Sequence, residues 1–236
     1  MATPLTPHTA VYGFKAAGDP QVSPDGDSIV YSLSTIDAAT KKTTSHLYAC
    51  GPDGANPRQL TYSGPRNGGA RWSPDGASLA FVSDRVEKSG IFLLSMSGGE
   101  ARELCRYEAG AIQDLAWSPD GTRIAFVAPF DEDNPGNEKP AEGSAPRVRV
   151  TSRLDYKQDT RGYLDDLRWH LFVADIASGT YERVSTRSND HTNPAWSPDG
   201  TQLVVRVYLQ NTMRSVLALI PAAGGEARII TPESGS

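Results

Sequence analysis

The tetrapeptide Ser-Pro-Asp-Gly occurs four times in this chain of 236 residues, starting at Ser23, Ser73, Ser118 and Ser197. A tryptophan precedes the last three copies, and Val22 precedes the first. Serine suits the first position of a type I turn, proline fixes φ at the second, and glycine accepts a left-handed conformation at the end. This combination is typical of a β-hairpin connection. Its recurrence at intervals of 50, 45 and 79 residues indicates a repeat architecture.

The sequence around each turn predicts four strands per repeat. An apolar strand follows each turn, at 29–31, 79–82, 124–127 and 203–205. A second apolar strand starts at Leu47, Ile91, Leu171 and Val216, and 13 residues after each of these comes another apolar residue, at Leu60, Leu104, Val184 and Ile229. Because the strand after the turn is apolar on consecutive residues, we expect it to be buried on both faces.

A four-stranded sheet that is buried on both faces and repeats every 40 to 50 residues or so is typical of a propeller blade. We therefore predict an all-β fold, a β-propeller of four-stranded blades in which about four Ser-Pro-Asp-Gly repeats are present. The chain is expected to be one partial propeller over 1–236, with repeats at about 12–61, 62–105, 106–186 and 187–231. The third repeat is longer because it contains an insertion at 129–168.

Composition excludes several classes of partner. The formal net charge is −5, whereas a nucleic-acid-binding face requires a basic stripe. No run approaches the roughly 18 apolar residues of a membrane span, and the N-terminus lacks the basic start and apolar core of a secretory signal. The chain has 2 cysteines, which is too few for a disulfide framework. We expect a cytoplasmic protein that binds neither nucleic acid nor membrane.

Two segments resemble a known family. Residues 18–26, Gly-Asp-Pro-Gln-Val-Ser-Pro-Asp-Gly, and residues 147–175, RVRVTSRLDYKQDTRGYLDDLRWHLFVAD, are similar to the propeller domain of the prolyl oligopeptidase family of serine peptidases. The closest branch is the acylaminoacyl-peptidase and dipeptidyl-peptidase-like one. The resemblance extends over about 18–231 and departs at Arg161, where the family often has glycine. The Ser-Pro-Asp-Gly turn alone is less specific, because the Tol-system periplasmic propeller also uses it.

This resemblance implies a propeller, usually of about seven or eight blades, that caps an α/β-hydrolase domain with a Ser-Asp-His triad. The propeller then restricts access to the active site and helps to select short peptides or acylated N-termini. Four repeats fall short of such a ring, so we expect a fragment; a closed four-bladed ring is the alternative. Open blade faces would make the chain self-associate.

No residue of this chain is expected to be catalytic. The G-x-S-x-G elbow of the hydrolase is missing, and the nearest approach is 76–80, centred on Ser78. The equivalent positions in the other repeats hold Ser28, Arg123 and Gln202, so the serine is interchangeable. The expected partners are an α/β-hydrolase domain outside this chain and peptide substrates. The competing hypothesis is a free-standing Tol-like or WD-repeat-like propeller that scaffolds protein–protein contacts.

The insertion holds the candidate substrate-facing residues, namely Arg153, Tyr156, Arg161 and Tyr163. Loops on a rigid scaffold often carry binding groups, and guanidinium groups can bind a peptide carboxylate. The alternative is an extended hairpin that packs on its blade and pairs its arginines with Asp155, Asp165 and Asp166.

Other candidate sites are expected to be structural. Asp131, Asp133, Gly136 and Glu142 fall at positions 1, 3, 6 and 12 of an EF-hand loop, but Pro135 offers no side-chain ligand at position 5. We therefore expect a solvated acidic loop, no metal site and no cofactor. His46 and His170 share one repeat position, for which Gly90 and Ser215 are the equivalents. Cys50 aligns with Leu94, Ala174 and Leu219, and Cys105 takes the place of Thr61 and Thr231.

Overall fold

The computed structural model describes residues 6–136, 138, 141, 150–151, 154, 156–159, 162–164, 167–186, 189–209, 212 and 214–231. They contain a short helix, α1 (Pro7–Tyr12), and these strands: β1 (Ala16–Val22), β2 (Ile29–Ile36), β3 (Thr43–Cys50), β4 (Arg58–Gln59), β5 (Asn67–Trp72), β6 (Ser78–Ser83), β7 (Ser89–Ser95), β8 (Arg102–Tyr107), β9 (Gln113–Trp117), β10 (Arg123–Phe130), β11 (Lys157–Gln158), β12 (Gly162–Tyr163), β13 (Arg168–Asp175), β14 (Tyr181–Arg183), β15 (Asp190–Trp196), β16 (Gln202–Tyr208), β17 (Ser215–Pro221) and β18 (Arg228–Ile229). No helix in the described part of the chain is long and apolar enough to cross a membrane.

The described strands form four-stranded sheets and one two-stranded sheet, β11-β12. In the four-stranded sheets the strands follow chain order, and β11-β12 lies in the chain between the neighbours β10 and β13. Sheet 1 is β1-β2-β3-β4, sheet 2 is β5-β6-β7-β8, sheet 3 is β9-β10-β13-β14, and sheet 4 is β15-β16-β17-β18. The chain divides into two compact units, residues 1–106 and 107–236. The prediction of an all-β fold built of four-stranded units is confirmed, whereas the number of blades in a ring stays a prediction.

Each Ser-Pro-Asp-Gly turn connects the first two strands of its sheet through the same hydrogen bonds. In sheet 1, the Ser23 hydroxyl donates to the Asp25 carboxylate at 2.5 Å and accepts from the Ser28 N–H at 2.9 Å. Gly26, with φ of 82°, donates its N–H to the Ser23 carbonyl. The other turns repeat this arrangement, because Ser73, Ser118 and Ser197 make the corresponding pairs.

The first strand of each sheet contains a bulge that the sequence did not predict. One extra residue stands opposite the second strand, three positions before the tryptophan or Val22. These bulge residues all have a left-handed backbone, and they are Asp19 (φ 48°), Gly69 (62°), Asp114 (55°) and Asn193 (53°). Aspartate, asparagine and glycine are the residues that tolerate this conformation best.

A second repeated contact fixes the fourth strand and corrects the alignment of the fourth repeat. The Leu47 N–H donates to the Thr61 hydroxyl, and Leu171 and Ser185 make the same pair. In sheet 4 the donor is Leu217 rather than Val216, and the acceptor is Thr231. The apolar strand predicted from Val216 is present within β17, but its alignment with Leu47 was wrong by one residue, because Val216 and Leu217 are both apolar and the bonds of Leu217 to Thr231 and Ile230 distinguish them.

The same shift changes two smaller assignments. Cys50 pairs with Ile29 and Ile220 pairs with Leu203, so the equivalent of Cys50 in sheet 4 is Ile220 and not Leu219. The position before the donor, occupied by His46 and His170, is occupied in sheet 4 by Val216 and not by Ser215. Cys105 does take the hydroxyl position in sheet 2, where the Ile91 N–H is a donor to its sulfur.

Within each unit, two sheets pack face to face. We call the face that contacts the next sheet the forward face and the opposite one the rear face. In the first unit, Val30 and Leu47 on the forward face of sheet 1 pack against Leu79, Phe81 and Phe92 on the rear face of sheet 2. In the second unit, the forward face of sheet 3 packs in the same way on the rear face of sheet 4 through Ala125, Val127, Leu171, Leu203, Val205, Val216, Ala218 and Ile220.

The repeated tryptophan joins neighbouring sheets. Trp72 lies on the rear face of sheet 2, and its indole Nε1–H donates to the backbone carbonyl of Gln21 at 3.2 Å. Trp196 in sheet 4 makes the equivalent bond to the carbonyl of Ala116 in sheet 3 at 3.0 Å. The first strands of the paired sheets also contact each other, β1 with β5 and β9 with β15. The tryptophan is thus an anchor between sheets.

Candidate functional site

The insertion leaves sheet 3 between its two central strands. β10 and β13 pair along their whole length, from Arg123 opposite Asp175 to Phe130 opposite Arg168. The connecting segment is therefore 131–167. Of the predicted substrate-facing residues, Tyr156 and Tyr163 are described, whereas Arg153 and Arg161 lie outside the described residues. The aspartates of the alternative ion-pair hypothesis, Asp155, Asp165 and Asp166, also lie outside them.

A small hairpin within the insertion brings the two predicted tyrosines together. β11 and β12 pair Lys157 with Tyr163, and the Leu164 N–H donates to the Tyr156 carbonyl at 2.9 Å. The two tyrosine rings lie 6.2 Å apart between centroids, at 32° to each other. Their exposed fractions are 47% for Tyr156 and 52% for Tyr163. The hairpin therefore presents a paired aromatic surface to solvent.

The surroundings of this tyrosine pair combine a cation with an apolar anchor. The Lys157 ammonium lies 5.6 Å from the centre of the Tyr163 ring, which is within the range of a cation–π contact. Leu164, directly after β12, is buried. The end of the hairpin at Leu164 is thus held by packing, while about half of the surface of each tyrosine is exposed. Aromatic rings with a nearby cation suit peptide side chains and carboxylates better than they suit a metal ion.

The base of the insertion is fixed by aromatic and ionic contacts. The Arg183 guanidinium lies 4.3 Å from the Phe130 ring and forms an ion pair with Glu132 at 2.9 Å. The Phe130 ring meets His170 edge-on, with centroids 5.7 Å apart. These contacts hold the two strand ends from which the insertion departs.

His170 is a structural residue at this base. Its Nδ1 lies 2.8 Å from the Ser185 hydroxyl, which also accepts the Leu171 N–H. Burial lowers the pKa of His170 to about 3, and the neighbouring His191, whose ring lies 5.7 Å away, adds to the shift. The imidazole is 3% exposed and neutral near pH 7. It therefore lacks the access that a general base needs.

Asn67, which no sequence pattern indicated, lies between strands of sheet 1 and sheet 2 and binds residues of both. Its side-chain amide donates to the carbonyls of Ser45 and Ser63, and its oxygen accepts from Ser83 and Arg85. Asn67 is 1% exposed. Three segments of the chain, around Ser45, Ser63 and Ser83, thus meet at one buried amide. A lone asparagine gives no local signal of such a role, because its partners are up to 22 residues away.

The acidic loop at the start of the insertion forms a local turn. Asp131 is buried, and its carboxylate accepts the Asp133 N–H at 2.9 Å. Glu142, the predicted twelfth position of the calcium loop, lies outside the described residues. Across the part of the chain that the structure describes, no group of three or more histidine, cysteine or acidic side chains could hold a metal ion.

Ser78 and the cysteines have structural environments. Ser78 begins β6, and its N–H donates to the Ser73 hydroxyl, as the N–H groups of the equivalent residues Ser28, Arg123 and Gln202 do in their own turns. A strand follows it, whereas a nucleophile elbow leads into a helix. Burial raises the pKa of Cys105 to about 12, which leaves the thiol protonated.

Comparison with known proteins places this architecture among propellers. The family model described as the TolB beta propeller domain matches residues 8–155. The uncharacterized peptidase YuxL of Bacillus subtilis (strain 168) is 31% identical over 196 residues, which are 82% of this chain and 30% of the peptidase. The chain therefore spans less than a third of the length of this curated relative.

Solved structures show the same fold. An acylaminoacyl peptidase in complex with Z-Gly-Gly-Phe-chloromethyl ketone superposes with a TM-score of 0.72 at 14% identity, over 95% of this chain and 34% of that one. A putative TolB from Agrobacterium tumefaciens gives a TM-score of 0.60 at 19% identity, over 90% of this chain and 64% of that one. At these identities the likeness concerns the fold alone.

Proposed function

We propose a function from one premise, which is that this chain belongs to the TolB β-propeller family. The chain is the propeller part of a serine peptidase of the acylaminoacyl or prolyl oligopeptidase type. It gates access to an α/β-hydrolase domain outside this chain and helps to select peptide substrates. Its partners are that domain and the peptides, and its location is the cytoplasm. The catalytic groups belong to the hydrolase domain.

One observation carries this proposal. The relation to the B. subtilis peptidase covers 82% of this chain but 30% of that protein, at 31% identity. A propeller that accounts for a minor part of a peptidase leaves room for a separate catalytic domain. The likeness to the acylaminoacyl peptidase fold has the same proportions, with 95% of this chain and 34% of that chain covered.

The insertion supports a role in substrate contact. Tyr156 and Tyr163 offer two half-exposed rings on a hairpin that is anchored by the buried Leu164. Lys157 adds a positive charge beside one ring. Such a surface contacts apolar peptide side chains through the rings and a C-terminal carboxylate through the ammonium. The contribution of Arg153 and Arg161, predicted from the sequence, remains part of this proposal.

The native gene product tests the proposal. An antibody raised against this chain is used to isolate the product from its source, and the mass and fluorophosphonate labelling of the isolated protein are measured. The proposal predicts a polypeptide much larger than 25.3 kDa that the probe labels. A product of 25.3 kDa that is not labelled would overturn it.

A second candidate function is a free-standing scaffold for protein–protein contacts. The likeness to the Agrobacterium TolB favours it, because this chain covers 64% of that protein rather than a minor part. The same isolation distinguishes the two functions. A scaffold is expected to co-purify with stoichiometric partner proteins and to remain unlabelled by the fluorophosphonate probe.

A further inference from the structure

The sequence contains one Asn-Gly pair, Asn67-Gly68. An asparagine in such a pair is especially susceptible to deamidation, because glycine has no Cβ to shield its backbone nitrogen or to restrict its motion. The nitrogen of the following residue must carry a hydrogen for this reaction. Proline follows Asn56, Asn134 and Asn193, and its nitrogen carries none. Asn67 is therefore the most reactive side-chain amide of the unfolded chain.

Deamidation at Asn67 needs no reactant other than water. The backbone nitrogen of Gly68 forms a bond to the side-chain Cγ of Asn67, and the bond from Cγ to Nδ2 breaks. The Nδ2 group takes up the backbone amide proton and leaves as ammonia. Water then opens the succinimide ring at one of its two carbonyl carbons, which gives aspartate or isoaspartate.

In the folded chain both ends of this amide are held by hydrogen bonds. The Nδ2 group donates to the carbonyls of Ser45 and Ser63, each at 3.1 Å. The Oδ1 atom accepts from the Ser83 hydroxyl at 2.9 Å and from the Arg85 guanidinium at 3.1 Å. Attack on Cγ turns the planar amide into a tetrahedral centre, so these bonds must break or distort. Asn67 is 1% exposed, which also keeps out the water that opens the ring.

The products do not fit the place of the amide. An aspartate carries only acceptor oxygens where Nδ2 now faces the carbonyls of Ser45, Ser63 and, at 3.3 Å, Gly64. Buried acceptors that face one another without a donor are destabilising. Isoaspartate adds a carbon to the backbone where β5 begins, and this shifts the register of the strand that ends at the anchoring Trp72.

We propose that Asn67 is a deamidation site that the fold protects. When the contact between sheet 1 and sheet 2 opens, the Gly68 nitrogen and water reach the amide and convert it. The product cannot form the hydrogen bonds of the amide, so the opened chain does not regain the original contact. Modification thus makes unfolding of the first unit irreversible. The proposal concerns residues inside this unit and does not rest on the proposed function.

Mass spectrometry of the 236-residue chain tests the protection. The chain is incubated at mildly alkaline pH, either folded in buffer or unfolded in guanidinium chloride, and the peptide that contains Asn67 is analysed for exchange of NH2 for OH. We expect the unfolded chain to convert Asn67 before the other asparagines, and the folded chain to convert it at least about tenfold more slowly. Equal rates in the two states would overturn the proposal.

Gly68→Ala is the matched control for the chemistry. An added Cβ at this position would meet no atom within 4 Å, so the variant is expected to fold, as circular dichroism can verify. In guanidinium chloride its conversion at Asn67 is expected to be about tenfold slower than that of the wild type, because the Cβ hinders the attacking nitrogen. An unchanged rate would overturn the assignment of Asn67-Gly68 as the reactive pair.

Ser83→Ala tests whether the hydrogen bonds of the amide protect it. This substitution removes the donor at 2.9 Å from Oδ1 and is expected to raise the conversion rate of the folded chain severalfold. Ser95→Ala, at an exposed serine at the end of β7, is the control and keeps the wild-type rate. Equal rates for the two variants would show that these bonds do not protect the amide.

Asn67→Asp tests the irreversibility, because it places one of the two products in the chain from the start. We expect a lower urea midpoint than that of the wild type, or a chain that does not fold. Asn56→Asp, at an exposed asparagine, is the control and keeps the wild-type midpoint. An unchanged midpoint for Asn67→Asp would overturn the claim that modification prevents refolding.

Discussion

The indole nitrogen of Trp196 lies 3.0 Å from the backbone carbonyl oxygen of Ala116, 80 residues earlier in the chain. This bond joins the first strands of two sheets, and Trp72 makes the same bond to Gln21. The Arg123 guanidinium lies 4.7 Å from the Trp196 ring and donates to the Gly200 carbonyl at 2.8 Å. Trp72 and Trp196 therefore each hold the two sheets of their own unit together.

Trp196→Phe is expected to destabilise the second unit by about 1–3 kcal/mol, because the Ala116 carbonyl loses its donor while it stays partly buried. Urea unfolding followed by circular dichroism measures this change. Val22→Phe, at the equivalent but exposed position of sheet 1, is the matched control and leaves the unfolding midpoint unchanged. Equal midpoints for Trp196→Phe and the wild type would show that the indole bond contributes nothing.

The turn aspartates are predicted to have low pKa values because the turn serine donates to them. For Asp120, the Ser118 hydroxyl and the Thr122 N–H lower the pKa to about 2. Its folded pKa lies below the ordinary value of 3.8, so its stabilising contribution is present above that value and is lost as the pH falls from about 4 to about 2. Ser118→Ala is expected to raise the pKa of Asp120 toward 3.8 in an NMR titration of the carboxyl carbon. A pKa that does not move on this substitution would contradict the assignment.

His170 is predicted to make the protein sensitive to mild acid. Its pKa of about 3 in the folded state lies below the ordinary value of 6.5. The unfolded chain therefore binds a proton that the folded chain rejects, and stability falls as the pH decreases from about 6.5 toward 3. His170→Gln removes the proton that the unfolded chain takes up at this position. The unfolding midpoint of the variant is therefore expected to fall less than that of the wild type between pH 7.5 and 4.5. His8→Gln, at an exposed histidine in α1, is the control and follows the wild type.

The paired tyrosines of the insertion are predicted to affect long substrates more than short ones. In the native peptidase that we propose, Tyr156→Ala and Tyr163→Ala remove ring surface that a peptide can contact beyond the catalytic centre. We expect the KM for peptides of about ten residues to rise severalfold, with kcat and the hydrolysis of a blocked dipeptide substrate unchanged. Tyr62→Ala, at an exposed tyrosine outside the insertion, is the control. Identical KM values for all variants would show that these tyrosines of the insertion do not contribute to substrate binding.

The repeat in the sequence predicted the strands because its signals are local. Proline and glycine fix the turn, and consecutive apolar residues such as Leu79, Ala80 and Phe81 mark a strand buried on both faces. The bulges were not predicted because Asp19, Gly69 and Asn193 share a backbone conformation but not a residue type. Their common place, three residues before the tryptophan position, is a signal that could have revealed them.

The alignment of the fourth repeat and the role of Asn67 depend on contacts between residues that are distant in the sequence. Val216 and Leu217 are both apolar, and the Thr231 hydroxyl, 14 residues beyond Leu217, decides which of them aligns with Leu47. Asn67 forms hydrogen bonds with residues of several segments, and no local sequence pattern predicts these bonds. In the candidate site, the pairing of Tyr156 with Tyr163 requires the short β11–β12 hairpin, whose two-residue strands carry too little periodicity to be predicted.

The position of the fluorophosphonate adduct in the native gene product tests the central claim most directly. The product is labelled, digested and analysed by mass spectrometry, and the adduct is assigned to one serine. We predict an adduct on a serine in a peptide that does not occur in this 236-residue sequence, because the sequence contains no G-x-S-x-G motif and we propose that the nucleophile belongs to a hydrolase domain outside it. An adduct on a serine of this sequence, such as Ser78, or a product that takes up no label, would contradict the claim.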